Sequence, residues 1–287
     1  MGERVLVDSH ATITGPIFTD ADETATDTTG SPTVAAVSRV TGATLTAPAV
    51  TTLTAAGAYS CELTPTAHTG DLDIIDLTWT GTVASKTRTY MQTVEVVGAF
   101  YVSLPELRTV SVLSTRDAAQ LRKFRMEAED LIEPARGTAY VHRCAVESYD
   151  VQLTGLVRLR HRHPVRLLAL RIDGEAQDVA DFTFDAVTRT LVPVSGRFTC
   201  KTVVEVAYVH GYASPPQLLR EAVTEYVRAK AVVADSSQQR GVSSVSSLAT
   251  GEVYNFISPD PRFGRWTGVE TADFRINLVD DERVLIG

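Results

Sequence analysis

The chain has 287 residues, 44% of them hydrophobic and 22% charged, with a formal net charge of −8. That length points to two domains, and the apolar share supplies real cores, which excludes wholesale disorder. Residues 1–100 hold 11 acids and 4 bases, a net of −7, which leaves −1 for the other 187 residues. The acidic part repels nucleic acid and the neutral part attracts none in bulk, which argues against a sequence-specific DNA binder.

No apolar run approaches the roughly 18 residues of a membrane-spanning helix. The opening MGERVLVDSH has acids and no apolar stretch, so no signal peptide is expected. Cys61, Cys144 and Cys200 lie far apart, leave at least one thiol unpaired and include no CxxC pair, which fits a reducing cytosol.

Residues 1–98 are rich in threonine, alanine and valine, with turn residues at short intervals. Ala35–Val40, Gly57–Leu63, Leu72–Thr80 and Lys86–Val97 are the clearest strands, and several short strands at this spacing predict a β-sandwich. Trp79 is a candidate core tryptophan. Cys61 has no second cysteine in this region, so an antibody-type disulfide is not expected. Asp20, Asp22, Glu23 and Asp27 make an acidic loop, read as solvated, with calcium the alternative.

Ser103 and Glu106 form a capping box at the start of a short helix in YVSLPELRTV. A second helix is expected from about Thr115 to Arg136. Its apolar stripe is Ala118, Leu121, Phe124, Ala128, Leu131, Ile132 and Ala135, and Gly137 is placed for a left-handed cap. Arg116, Arg122, Lys123, Arg125, Glu127, Glu129 and Asp130 fall opposite that stripe, as a solvated face or a subunit interface.

Thr138–Glu147, Val151–Arg162, Val165–Ile172, Phe182–Phe184 and Thr190–Val194 read as strands, with Asp173-Gly174 a tight turn. In RLRHRHPVR an extended chain puts Arg158, Arg160 and Arg162 on one side and His161 and His163 on the other. The arginine row suits DNA phosphates, a neighbouring subunit's acids, or a charged edge that resists pairing. No metal is expected, because no carboxylate or cysteine cluster accompanies the histidines.

From Val203 a strand places Val204, Val206 and Tyr208 on one face and Ala207 and Val209 on the other. Gly211 is free to take a positive φ. Ser214 is then the expected N-cap and Pro215 the first residue of a helix to Asp235, with Leu219, Ala222, Val223, Tyr226, Ala229 and Val233 as its stripe. Ser236–Gly251 is a serine-rich loop. Beyond it, Tyr254, Phe256, Phe263, Arg265 and Trp266 cluster within a short span, as interface anchors or as core. A short helix is expected within Thr267–Val279, with Val269, Phe274 and Leu278 apolar.

Three of these pieces occur in one order: LPELR followed by a helix ending EAEDLIEPARG, a valine-rich strand with HGY, PP and a helix, and FGRWTGVETADFRINLV. Over residues 101–287 that order resembles head-to-tail adaptor (connector) proteins of long-tailed double-stranded-DNA phages. Residues 1–98, similar in composition to immunoglobulin-like modules of phage structural proteins, would be an added domain.

The resemblance implies an α+β multidomain chain: a sandwich over 1–98, then an adaptor domain over 99–287. The latter comprises helices within 103–136, a β part over 138–209, a helix over 215–235 and a partner-binding segment over 251–287. It also implies a homo-oligomeric ring, dodecameric in the family, in the head–tail neck of the virion, assembled in the host cytoplasm. Its partners are the portal protein, a tail-side stopper or terminator, and weakly held genomic DNA in the lumen; no membrane contact or cofactor is implied. There is no GxSxG, HExxH, P-loop or GxGxxG, and the six histidines sit in no catalytic context, so no enzyme is expected. The alternative is a non-enzymatic surface-binding module that contacts carbohydrate or host.

Overall fold

The computed structural model describes residues 3–151, 155–199, 201–235, 244–246, 253–255 and 267–279; for 235, 244–246 and 253–255 it describes the backbone only. The fold is mixed α+β and divides into two compact units, 1–99 with 142–211 and 100–141 with 212–287. Residues 142–211, read from sequence as part of a C-terminal domain, thus group with the N-terminal sheets.

The first unit begins with seven strands: β1 (Glu3–Leu6), β2 (Ala11–Thr14), β3 (Thr33–Ser38), β4 (Ala49–Thr52), β5 (Tyr59–Leu63), β6 (Ile74–Val83) and β7 (Lys86–Val97). They make one sheet in the order β1-β7-β6-β3 and another in the order β2-β5-β4, with β1 parallel to β7 and the other pairings antiparallel. Strict alternation along β6 turns Ile75, Leu77, Trp79 and Val83 inward. They meet Ile13, Tyr59, Cys61 and Leu63 of the facing sheet in one core. The Trp79 indole donates to Gln92 Oε1 (3.2 Å). A Cβ on Gly15 would come within 2.8 Å of its ring, so the loop after β2 passes where only glycine fits. Cys61 is a buried free thiol that burial, then Glu3, pushes up to about 12, which leaves it inert.

The same unit continues with β8 (Arg143–Asp150), β9 (Val157–Arg158), β10 (Pro164–Ile172), β11 (Glu175–Gln177), β12 (Phe182–Asp185), β13 (Thr190–Pro193) and β14 (Val203–His210). A four-stranded sheet runs β11-β10-β14-β8 and a three-stranded one β12-β13-β9. Asp173 and Gly174 both take positive φ (51° and 85°), a two-residue hairpin turn that follows the strand twist. β14 is buried on both faces. Val204, Val206 and Tyr208 join Leu170, Leu191 and Phe198 in a second core. Ala207 and Val209, with Cys144, pack instead on Val40 and Leu72 from the N-terminal strands. Arg166 pairs with Asp71 (2.6 Å), Arg143 pairs with Glu95 (3.3 Å), and Arg171 donates to the Thr41 carbonyl around that contact.

The second unit is helical: α1 (Leu104–Arg108), α2 (Ala118–Arg136), α3 (Gln217–Asp235) and α4 (Glu270–Leu278). Both bonds of the Ser103/Glu106 capping box are present, and Gly137 closes α2 at φ 64°. The N-cap of α2 is Asp117, whose side chain accepts from the Gln120 amide (3.1 Å). α3 starts two residues later than the sequence suggests. The Pro216 carbonyl accepts the first bonds, from Leu219 (3.0 Å) and Arg220 (3.2 Å), so Ser214 and Pro215 precede the helix. α3 packs on both α2 and α4, and its burial is correspondingly wide, with Val227 and Val232 added to the expected stripe.

Two faces differ from expectation. On α2 the buried residues are Leu121, Arg125, Ala128, Glu129 and Ile132, and Leu131 is exposed. On α4, Ala272, Asp273 and Ile276 point inward, and Phe274 and Leu278 outward. Asp273 does the anchoring there: its carboxylate accepts from the Thr267 amide (2.7 Å), the Thr267 hydroxyl (2.8 Å) and the Gly268 amide (3.2 Å). No described helix is long and apolar enough to cross a membrane. A last two-stranded pairing joins β15 (Ser244–Ser246) to β16 (Val253–Asn255).

Candidate interaction surfaces

The arginine run RLRHRHPVR does not form one long strand. β9 ends at Arg158, the chain bends through 160–163, and His163 takes a positive φ of 54°. Arg158, Arg160 and Arg162 are all exposed. Arg189 joins them. Its Nη1 donates to the Arg160 carbonyl (3.0 Å), and its own carbonyl accepts from the Leu159 amide (2.8 Å). His161 does not lie opposite the arginines as a free ligand. Its ring turns onto His210, with centroids 4.0 Å apart and planes 16° from parallel.

Beneath the bend sits a carboxylate that the sequence reading missed. Glu147 lies on β8 in phase with Ala145 and Tyr149, so its side chain is only 8% exposed. Tyr149 and Tyr208 both direct their hydroxyls at Glu147 Oε2, the latter at 2.8 Å. Those hydroxyls in turn accept backbone amides of the bend, Arg160 to Tyr149 (3.1 Å) and His161 to Tyr208 (3.1 Å). The Arg160 guanidinium lies 5.5 Å over the Tyr149 ring, and His161 Nε2 is 3.6 Å from Glu147 Oε1. Burial, reinforced by the Glu147 contact, raises both tyrosine hydroxyls well above their ordinary range. They remain neutral donors. A glutamate at an inward position of an alternating strand, flanked by tyrosine, was the available sequence signal.

His210 is 6% exposed and its Nδ1 has no hydrogen-bond partner. Burial, then the neighbouring His161, Arg143 and His142, pushes its pKa down to about 3. His142 is lowered in the same sense, by burial and by Arg166. A histidine held neutral in the fold protonates more readily when unfolded. Its contribution is complete above about pH 6.5 and falls by about 1.4 kcal/mol per pH unit as pH drops toward 3. Melting curves between pH 7.5 and 4.5 should show that loss, and His210→Phe should flatten the slope; an unchanged slope contradicts the assignment.

Among the described residues, no three His, Cys, Asp or Glu side chains converge as a metal site. The acidic loop is internally satisfied at its base: Asp20 Oδ1 accepts the amides of Asp22 (2.9 Å) and Thr24 (3.0 Å). Of the anchors expected at the C-terminus, Tyr254 lies in β16 with its backbone described. Phe256, Phe263, Arg265 and Trp266 lie outside the described residues, as does Cys200.

No family model matches this chain. No curated protein matches it. Among solved structures, a chain from the neck of an empty GTA particle, computed with C6 symmetry, is a weak structural neighbour. It aligns over 51% of this chain and 83% of its own, at 17% identity and a TM-score of 0.39.

Proposed function

We propose that this chain is a structural virion protein: a head-to-tail adaptor whose copies form a neck ring between portal and tail, around the DNA passage. The observation that carries the reading is the ordered set of motifs over residues 101–287. Two of them have physical counterparts in the fold. LPELR starts at a capping box and EAEDLIEPARG ends α2 at a left-handed glycine, while β14 passes through Gly211 (φ 95°) and HGY-x-x-PP into α3.

An immunoglobulin-like reading of the N-terminal sandwich is supported by strand order. β2-β5-β4 facing β3-β6-β7 follows the B-E-D and C-F-G arrangement of that fold, with β1 added beside β7. In this reading the chain is not an enzyme, and its partners are further copies of itself, the portal, a tail-side stopper or terminator, and DNA held loosely in the lumen. Residues 251–287 would meet the portal. Size-exclusion chromatography with light scattering tests the reading: a high-order species should form, alone or on adding portal. Phe263→Ala with Trp266→Ala should abolish portal capture and leave the melting temperature unchanged. A strict monomer that ignores portal and binds glycans would favour a surface-binding module instead.

A further inference from the structure

We propose that the basic surface of Arg158, Arg160, Arg162 and Arg189 docks on the acidic N-terminal sandwich of a second copy of this chain. The inference rests on the ring reading and adds the contact that would build the ring.

Between Asp150 and Asp173 the sequence carries five arginines, two histidines and no acid. The surface is held in place. The amides of Arg160 and His161 are fixed by the tyrosine hydroxyls on Glu147, the His161 ring rests on buried His210, and Arg189 ties itself to the Arg160 carbonyl. Arg158 and Arg162 are exposed, and among the described residues their guanidinium groups have no partner. Guanidinium groups on a fixed backbone lose less freedom on pairing, and each planar fork matches a carboxylate.

The complementary charge is on the same chain. Residues 1–100 carry a net of −7. The tip of their 19–27 loop presents Asp22 and Glu23, both exposed and, among the described residues, with unpaired carboxylates. That loop is also fixed, since Asp27 Oδ1 accepts the Gly57 amide (2.8 Å) and Asp20 closes its base. Arg166 and Arg171 of that run turn to the N-terminal strands, at Asp71 and the Thr41 carbonyl. The Arg158–Arg162 bend and the Asp22–Glu23 tip are unlike surfaces of opposite sign that, among the described residues, do not pair with each other. A two-fold contact through either would oppose like charges. A head-to-tail contact satisfies both, and such contacts close into rings when the rotation per subunit permits. DNA phosphate is the other polyanion this surface fits, but an overall charge of −8 opposes it.

The test uses the full chain in sedimentation velocity at low salt and at about 0.5 M salt, where exposed charges are strongly screened. The expected result is association at low salt that weakens at high salt. R158E/R162E alone and D22R/E23R alone should each weaken association at least about tenfold, since each sets like charges against each other. Mixing the two variants should restore it, because every contact then pairs opposite signs again. Circular dichroism melts establish that both variants fold; if R158E/R162E does not, R158Q/R162Q takes its place with the same expectation. Undiminished association in the arginine variant overturns the inference and leaves the ring reading standing through another contact. A wild-type monomer that shifts a short DNA duplex through these arginines also overturns it, with nucleic acid as the occupant. A wild-type monomer at all salt concentrations, inert to DNA and portal alike, overturns both.

Discussion

Replacing Glu129 with alanine should destabilise the helical unit by about 3–5 kcal/mol, the range for removing one partner from a buried charged arrangement. Glu129 is fully buried, and its Oε1 accepts the Tyr101 amide at 3.0 Å. One turn earlier, Arg125 is 5% exposed, donates to the Val102 carbonyl (3.2 Å) and covers the Phe100 ring at 3.5 Å. The two side chains together grip the backbone of 101–102 on α2. Tyr101 extends the same packing: its hydroxyl accepts the Tyr140 amide (3.0 Å), and the Tyr140 ring stacks on Tyr212 with centroids 5.5 Å apart. Losing the carboxylate strands an amide and leaves a buried cation with less compensation. Glu129→Gln keeps an acceptor and should cost about 1–3 kcal/mol, and Lys123→Ala, at an exposed position, less than about 0.5 kcal/mol. Chemical denaturation of the three variants checks this; equal midpoints for Glu129→Ala and Lys123→Ala would contradict it.

A fragment of residues 1–98 keeps every residue of the first core, since that cluster runs from Val5 to Val96, and should melt cooperatively by itself. The complementary fragment, 99–287, loses Val40 and Leu72 from over Cys144, Ala207 and Val209, and with them the Asp71 and Glu95 partners of Arg166 and Arg143. The side chains bared in this fragment are Cys144, Ala207 and Val209. Uncovering a valine alone costs about 1.5–3 kcal/mol, and with the two smaller groups a total on the order of 3–4 kcal/mol is expected. The fragment should melt well below the full chain or aggregate through the bared sheet. Calorimetry of both fragments decides: an unchanged melting temperature for 99–287 would mean that the sandwich contributes nothing to β14.

What was legible in the sequence was local and stereochemical. The capping box, the left-handed Gly137, the positive φ of Gly211, the Asp173-Gly174 turn and the two faces of β14 each follow from one or a few residues whose conformational options are narrow. β1, β2 and β4 were not read, because four residues hold too little periodicity to stand out. The β6–β7 hairpin turns on Ala84 and Ser85, at φ 48° and 63°, without the glycine or asparagine that marks such turns. On α2 the apolar stripe and the buried face differ by a small rotation, which brings Arg125 and Glu129 inside because the 100–102 backbone offers them partners. Tertiary hydrogen bonding decided that, and no window of sequence contains it. The arginine run likewise alternates as a strand would, yet it bends where Glu147, Tyr149 and Tyr208 collect its amides.

The neck role proposed for this chain would place it at one point of a virion. Gold-labelled antibody against it, imaged by electron microscopy on purified phage particles, tests that most directly. Label confined to the junction of head and tail is the expected result. Label on the capsid surface or tail tip, or particles that lack the protein, would contradict it.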